Sequence, residues 1–262
     1  MQIMKGAEPI FLKGGENACL LIHGLTGTPS EMAYLAGRMN EAGYTVKVPL
    51  LPGHGTDIKE LNITTWPAWV GAVSEELVKM YQRHENVYVA GLSMGGIMTL
   101  AMAALHGNLI QGGAVFSTPL WFKPFAARYI LPILGRTPLA SIIGDLPSTP
   151  GQDVKEPQGA PHVSYGRNSI PATYSLMELM GLIRKKSFLS SIRTPLLIMQ
   201  STQDIFIHSG SARRIYDNIS STKKKIIMLN DCYHAITVDK ERSKVADAMI
   251  DFFSLQQVNR TP

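Results

Sequence analysis

The sequence predicts one α/β unit in which a mostly parallel, doubly wound sheet carries helices on both faces and an inserted cap. Three observations lead to this prediction. Short apolar runs alternate with helical patterns along the chain, 45% of the 262 residues are hydrophobic, and only 17% are charged. A chain of this length can bury one large core, and alternating strands and helices favour a parallel sheet covered on both faces.

Six apolar runs have the length and composition of buried strands. They cover residues 18–22, 45–48, 87–90, 113–116, 196–200 and 226–229. Helical spacing of apolar residues predicts further helices at Val70, Val73, Leu77 and Tyr81, and at Val245, Met249 and Phe252. Another helix is predicted to begin at 29–31 and to end at 40–43.

The charge deficit has one main location. Residues 86–122 contain no Asp, Glu, Lys or Arg. A transmembrane helix is one explanation of such a run, but glycines at 91, 95, 96, 107, 112 and 113 interrupt it. Because clustered glycines suit a helix interior poorly, we predict a buried strand–turn–helix–strand unit here instead.

The segment 117–175 breaks the alternation of strands and helices. It contains nine of the sixteen prolines, and it begins with large apolar residues such as Trp121, Phe122 and Phe125. Proline interrupts long regular elements. We therefore interpret this segment as a cap of short helices and loops over the sheet, inserted between core segments 1–116 and 176–262. A peripheral insertion with a small core of its own is the alternative.

Composition excludes several classes of protein. Two cysteines rule out a disulfide scaffold or a multi-cysteine zinc module. The N-terminal residues lack the apolar core and cleavage site of a signal peptide, so we expect a cytoplasmic protein. The net charge is +5, but the basic runs 184–186 and 223–225 have no interleaved aromatics, so no nucleic-acid partner is predicted. Weak contact with a membrane surface, through the basic runs or the apolar cap, stays open.

The segment Gly91-Leu92-Ser93-Met94-Gly95 matches the G-x-S-x-G pattern of a nucleophile elbow. A strand-like run comes directly before it and a helix-forming run directly after it, which is the context that the mechanism needs. A turn this tight requires glycine on both sides of the serine. The hydroxyl would then stand at the carboxyl end of the strand, above a helix N-terminus. Ser93 is the predicted nucleophile.

A serine hydroxyl needs a base, and the base needs an acid that orients it. With this pattern the chain order is serine, acid, histidine. Of seven histidines, His234 lies in the loop after the last predicted strand and is the predicted base. Asp204 follows strand 196–200 and is the predicted acid. Asp231 and Asp239 compete with it, but helix capping or a solvated charge is the simpler role for both.

Two backbone amides are needed to stabilise an oxyanion. The loop His23-Gly24-Leu25 follows strand 18–22. We therefore predict the amides of Leu25 and of Met94, the residue after the nucleophile, as the two donors. His23 is expected to shape this loop, because the base is already assigned.

Five motifs together resemble the α/β-hydrolase superfamily, and in particular bacterial carboxylesterases and bacterial monoacylglycerol lipases. They are HGLTGTP at 23–29, LPGHG at 51–55, GLSMGG at 91–96, QSTQD at 200–204 and CYHAITVDKER at 232–242. The resemblance spans nearly the whole chain. It implies an α/β-hydrolase fold and a Ser93–His234–Asp204 triad that works through an acyl-enzyme, without a metal or an organic cofactor. An aromatic residue is usual after the H-G pair in that group, so Leu25 leaves the shape of the acyl-side pocket open.

The predicted activity is hydrolysis of carboxylic esters with small to medium acyl chains, and the predicted partner is a small-molecule ester or lipid. Apolar residues of the cap region are expected to bury the acyl or alkyl group. The candidates are Trp121, Phe125, Tyr174, Met177 and Met180.

Other functions stay open. The same triad could act on thioesters, amides or carbon–carbon bonds, or transfer the acyl group. A non-catalytic ligand-binding protein of the same fold is the remaining alternative, but a receptor has no need to keep Ser93, Asp204 and His234 together.

Overall fold

Seven strands form one mostly parallel sheet in the computed structural model of the protein, which describes residues 2–124, 129–148, 153–158 and 162–257. The strands in chain order are β1 (Ile10–Leu12), β2 (Asn17–Ile22), β3 (Thr45–Val48), β4 (Asn86–Leu92), β5 (Gly112–Phe116), β6 (Asp145–Pro147), β7 (Arg167–Ser169), β8 (Leu196–Ser201) and β9 (Lys224–Leu229). The order across the sheet is β1-β3-β2-β4-β5-β8-β9, and β6 and β7 pair separately as an antiparallel hairpin.

All six predicted strands are present, and each predicted end lies within two residues of the observed one. The edge strand β1 was not predicted. It has three residues, pairs antiparallel with β3 and leaves Phe11 64% exposed, so it has no buried apolar run of the kind that marks the other strands.

The helices follow the strands in the alternating order that the sequence predicts. They are α1 (Ala33–Glu41), α2 (Ile58–Ile63), α3 (Trp66–Tyr81), α4 (Met94–Leu105), α5 (Leu131–Leu134), α6 (Pro138–Ile143), α7 (Ile170–Ile183), α8 (Lys186–Leu189), α9 (Gly210–Asn218) and α10 (Arg242–Ser254). A 3-10 turn at Pro29–Met32 leads into α1. Each described helix is too short or too polar to cross a bilayer.

Two apolar cores lie on the two faces of the sheet, because successive strand residues point to opposite sides. On β2, Leu20 belongs to the core that contains residues of α3, α4, α7 and α9. Its neighbour Leu21 belongs to the core that contains residues of α1 and α10. The sheet is therefore covered on both faces, as predicted.

The charge-free stretch of sequence forms the centre of the molecule. Every residue of β4 and β5 is buried, as are the first ten residues of α4. A charged side chain there would lose its hydration without gaining a partner, which costs several kcal/mol. The predicted buried strand–turn–helix–strand unit is thus present.

Between β5 and β8 the described chain holds short elements and one longer helix. These are α5, α6, the β6–β7 hairpin and α7. The helix α7 starts at Ile170 and runs on past position 175, the end of the predicted cap segment. Pro171 lies in its first turn, where a missing N–H breaks no helical hydrogen bond. Phe125, one of the predicted pocket residues, lies outside the described residues.

The described parts of this segment are fastened to loops at the carboxyl ends of the parallel strands. Tyr165 donates its amide to Thr26 and its hydroxyl to Gly53, at 3.3 and 2.7 Å. In the loop after β9, the Ala235 amide donates to the Asp153 carbonyl at 2.8 Å. In open α/β sheets, ligand sites form at this edge of the sheet.

Candidate active site

Ser93 stands at a strained turn between β4 and α4. Its φ is +55° and its ψ is −112°, a region that costs a non-glycine residue about 1–3 kcal/mol. Its amide donates to the Phe116 carbonyl at 2.8 Å, which ties the turn to β5. This turn directs the Ser93 side chain away from the edge of the sheet. Ser93 is only partly buried there.

The glycines around Ser93 are required by contact rather than by flexibility. A Cβ at Gly91 would lie 2.2 Å from the Gly95 carbonyl, and a Cβ at Gly95 would lie 2.1 Å from the carbonyl oxygen of Ile22. Real Cβ atoms do not come this close, so the helix could not sit on the strand with any larger residue. This contact explains the G-x-S-x-G spacing physically.

The structure brings the three predicted residues Ser93, His234 and Asp204 together. Ser93 Oγ lies 2.9 Å from His234 Nε2, and His234 Nδ1 lies 2.7 Å from Asp204 Oδ2. Because Nδ1 donates to the carboxylate, Nε2 is left to accept the serine proton. The Asp204 side chain is 1% exposed and that of His234 13%. The arrangement has the geometry of a nucleophile, a base and an orienting acid.

Asp204 is held by its own loop, directly after β8. Its Oδ1 accepts the amides of Phe206 and Ile207 at 2.8 and 3.0 Å, which leaves Oδ2 for the histidine. Ser201, the last residue of β8, accepts the Gln203 amide at 2.9 Å and donates to the Cys232 carbonyl. This buried hydroxyl therefore joins the loop of the acid to the loop of the histidine.

The competing acid Asp239 organises the histidine loop without touching the imidazole. Its fully buried carboxylate accepts the amides of Tyr233 and Lys240, both at 2.7 Å, and those of Lys155 and Glu156 at 2.7 and 2.8 Å. A carboxylate that accepts several N–H groups is well satisfied when buried. It docks the segment 153–158 onto the loop that carries His234.

The other competitor, Asp231, forms ion pairs at the surface. Lys155 and Lys240 lie 2.6 and 2.9 Å from its carboxylate oxygens, and these hydrogen bonds lower its pKa to about 2. It carries a solvated charge, the role that the sequence favoured for it.

Two opposing effects set the pKa of His234. Burial lowers it, but the charge of Asp204 and the hydrogen bond to it raise it, with smaller contributions from Asp153 and Glu31. The net result is a pKa above the ordinary value of 6.5. A histidine with a raised pKa is a stronger base, so the carboxylates around it suit it to proton abstraction.

The two segments that carry the predicted oxyanion donors lie next to Ser93. Met94 is the first residue of α4, so its amide has no partner within the helix. The loop before Leu25 passes along the nucleophile, since a Cβ at Gly24 would lie 3.7 Å from the Ser93 Cβ. Among the hydrogen bonds of the described residues, none takes the Leu25 amide.

Two buried histidines shape the loop that carries Leu25. His23 Nδ1 donates to the Gly24 carbonyl at 2.9 Å and Nε2 accepts the Leu51 amide at 3.2 Å. Burial, together with the nearby His54, lowers the pKa of His23 to about 3, so the ring is neutral. His54 Nε2 lies 2.7 Å from the Leu25 carbonyl. The contact of His54 with this loop was not predicted, although the motif LPGHG that contains it follows the predicted strand 45–48.

A second group of titratable residues lies close to the site and was not predicted. Ligating atoms of Glu31, Asp153 and His162 lie within 4.8 Å of one another. His162 Nε2 is 3.3 Å from an oxygen of Asp153. Such side chains are also metal ligands, but here each has a protein partner. No sequence signal joins them, because they come from a turn and from two parts of the cap segment.

Four of the predicted pocket residues line one cavity of about 270 Å³, namely Trp121, Tyr174, Met177 and Met180. Arg136 and Arg184 also line it. The cavity adjoins the loop of the acid, because Phe122, another lining residue, pairs with Ile207, whose amide bonds to Asp204.

Known proteins resemble this chain along most of its length. A family model described as serine aminopeptidase, S33, matches residues 15–241. A thermostable monoacylglycerol lipase of Bacillus sp. strain H-257 is 34% identical over 255 residues, covering 96% of each chain. A carboxylesterase of Bacillus subtilis strain 168 is 28% identical over 247 residues, covering 94% of this chain and 95% of the other. A metagenome-derived lipolytic enzyme of solved structure gives a TM-score of 0.87 at 28% identity, covering 97% of this chain and 100% of that one.

We expect the pKa of His234 to fall when Asp204 is replaced by Asn. The variant removes the negative charge that favours the imidazolium, while burial of the ring continues to oppose it. Titration of the histidine ring protons by NMR measures the change, and His162, paired with Asp153, is the internal control. Equal His234 titration in wild type and variant would contradict the electrostatic account.

Proposed function

The chain belongs to the serine aminopeptidase S33 family and has the α/β-hydrolase fold, and we propose that Ser93, His234 and Asp204 are its catalytic triad. The family membership confirms the resemblance drawn from the motifs. The protein is an ester hydrolase of the lipase and esterase type. The observation that carries the proposed triad is the continuous hydrogen-bonded relay of 2.9 and 2.7 Å from Ser93 through His234 to Asp204.

The proposed reaction has two steps. Ser93 Oγ attacks the ester carbonyl carbon while His234 Nε2 takes its proton, and the amides of Leu25 and Met94 donate to the oxygen that becomes negative. His234 then gives the proton to the departing alcohol, which leaves an acyl group on Ser93. Water, deprotonated by His234, attacks this acyl-enzyme and releases the acid. Asp204 stabilises the imidazolium in both steps.

Ester cleavage is proposed over peptide cleavage, although the family description names a peptidase. Two relatives that align along nearly the whole chain are described as a monoacylglycerol lipase and a carboxylesterase. The cavity beside the acid loop is lined by three aromatic rings and two methionines, as well as by Arg136, Glu178 and Arg184. Its apolar part suits an alkyl chain.

The size of that cavity supports short to medium acyl chains. At about 270 Å³ it lies just below the range of about 300–1,000 Å³ that is typical of small-molecule sites. We therefore propose esters with small to medium acyl groups, monoacylglycerols included, with the acyl chain held between Trp121 and Met177.

Replacement of Ser93 by Ala is expected to abolish both hydrolysis of p-nitrophenyl butyrate and labelling by a fluorophosphonate probe. Both reactions need the serine oxygen as nucleophile, and loss of a triad member lowers kcat by about 10⁴-fold or more. Thr99→Ala is the matched control, because its hydroxyl bonds to the Gly95 carbonyl within α4 and takes no part in the reaction. Equal labelling of wild type and Ser93→Ala would exclude Ser93 as the nucleophile.

Replacement of Met177 by Trp is expected to shorten the preferred acyl chain. The larger side chain fills the cavity, so kcat/KM for p-nitrophenyl octanoate falls by at least about tenfold while that for the acetate is unchanged. A misfit of a single methylene already costs about 10- to 200-fold. Leu182→Trp is the control, because Leu182 lies on the same helix, is 40% exposed and is not among the lining residues. An equal loss for both esters would contradict this assignment of the acyl site.

A further inference from the structure

Glu31 is a buried carboxylate that the proposed reaction does not use. It lies in the 3-10 turn that follows the loop 23–27, and it is 5% exposed. Burial of a carboxylate costs several kcal/mol unless hydrogen bonds and charges satisfy it. Its contacts therefore indicate what the residue does.

The loop 23–27 is wrapped around this carboxylate. The Gly24 amide donates to Glu31 Oε2 at 2.8 Å. A Cβ at Gly27 would lie 2.0 Å from the carboxyl carbon, and a Cβ at Gly24 would lie 3.2 Å from Oε2. Both glycines thus leave room for Glu31, and Leu25, with its proposed oxyanion donor, is held between them.

Ser93 lies next to the same stretch of loop. The Cβ position at Gly24 is 3.7 Å from the Ser93 Cβ and also faces Glu31. The Leu25 carbonyl, on the far side of its residue, is taken by His54 at 2.7 Å. The peptide groups on either side of the Leu25 amide are therefore both fixed, the one before it through the Gly24 amide by Glu31 and the one after it through the Leu25 carbonyl by His54. This leaves little freedom to the Leu25 amide between them.

The charge of Glu31 is partly balanced by its surroundings. Burial raises its pKa above the ordinary value, and the positive charge of His162 and the Gly24 hydrogen bond oppose that rise without cancelling it. The hydrogen bond to Asp153 raises the pKa of His162, which favours the cation. The titratable groups that face Glu31 are His162, Asp153 and His234. A cation at His162 offsets a carboxylate that would otherwise oppose a negative oxygen nearby.

We propose that Glu31 is a positioning residue for the oxyanion loop: its carboxylate holds the Gly24 amide and thereby aims the Leu25 amide at the substrate oxygen beside Ser93. Glu31 touches neither the substrate nor the reacting atoms. The inference rests on the proposed function, because it concerns the geometry of the same reaction. This role explains why a glutamate stands in the segment GTPSEM at 27–32. An acidic residue at this position would otherwise indicate only the first turn of a helix.

The test compares Glu31→Ala, Glu31→Gln and the exposed control Glu41→Gln with p-nitrophenyl butyrate. Glu31→Ala is expected to lower kcat by about 10- to 100-fold, less than the 10²- to 10³-fold that removal of an oxyanion donor costs, with KM nearly unchanged. An interaction made only in the transition state lowers kcat rather than raising KM. Glu31→Gln keeps an oxygen that accepts the Gly24 amide, so most of kcat returns. Glu41, whose side chain is 75% exposed, behaves as wild type when changed to Gln.

The rate of fluorophosphonate labelling is measured beside turnover, together with the Tm of each variant. Labelling slows in Glu31→Ala and recovers in Glu31→Gln if the loop is misplaced, because the phosphonyl oxygen uses the same donors. A kcat for Glu31→Ala within twofold of wild type overturns the proposal, and so does an increase in KM alone. A Glu31→Gln variant as slow as Glu31→Ala, at an unchanged Tm, overturns it as well.

A replacement variant and the wild-type activity keep the result interpretable. If Glu31→Ala does not fold, Glu31→Asp replaces it, because its carboxylate is withdrawn by one methylene from the Gly24 amide and the same loss of kcat is expected. Failure of the proposed function is seen separately, since wild type would then show neither hydrolysis nor labelling.

Discussion

The close contact between α4 and the strands beneath it is the constraint on which the rest of the structure depends. Gly95 sits against the carbonyl of Ile22, the last residue of β2, and Gly91 sits against Gly95. The helix can therefore approach the sheet closely enough for Ser93 to occupy the sharp turn at +55°. The same contact places the end of β2 directly beside the serine. The loop 23–27, which follows β2, therefore begins next to Ser93.

The remaining parts of the site are joined to one another by buried hydrogen bonds. Ser201 connects the loop of Asp204 to that of His234, and Asp239 gathers four backbone amides from the histidine loop and the segment 153–158. Asp153 in turn accepts the amide of Ala235. Such fully satisfied buried groups rigidify the loops that carry them. A relay with distances below 3 Å between three separate loops needs this degree of support.

Much of this arrangement could be predicted from the sequence, because its signals are local. Buried strands appear as apolar runs, and the elbow has glycines at fixed distances from Ser93. His234 and Asp204 follow from their positions after the last strands. The proximity of these residues was an expectation from chain order, and the structure gives the distances.

Other features depend on contacts between distant parts of the chain and give no local signal. Pro171 suggested an irregular segment, but it lies in the first turn of the helix α7, where a proline is tolerated. Glu31 is buried only because Gly24, Gly27, His162 and Asp153 come together around it. Asp239 was weighed as a candidate acid or a cap, and its carboxylate instead accepts amides more than eighty residues away at Lys155 and Glu156. No periodicity in sequence reports such partners.

The proposed mechanism requires that Ser93 carries the acyl group between the two steps of ester hydrolysis. The most direct test is to mix the protein with p-nitrophenyl acetate, quench the reaction within milliseconds and locate the acetyl group by mass spectrometry. Acyl-enzymes accumulate when deacylation is the slower step. We predict one acetyl group per chain, located on the peptide that contains Ser93 and appearing with a burst of p-nitrophenol. Turnover with a burst but with the acetyl group on another residue would contradict the account.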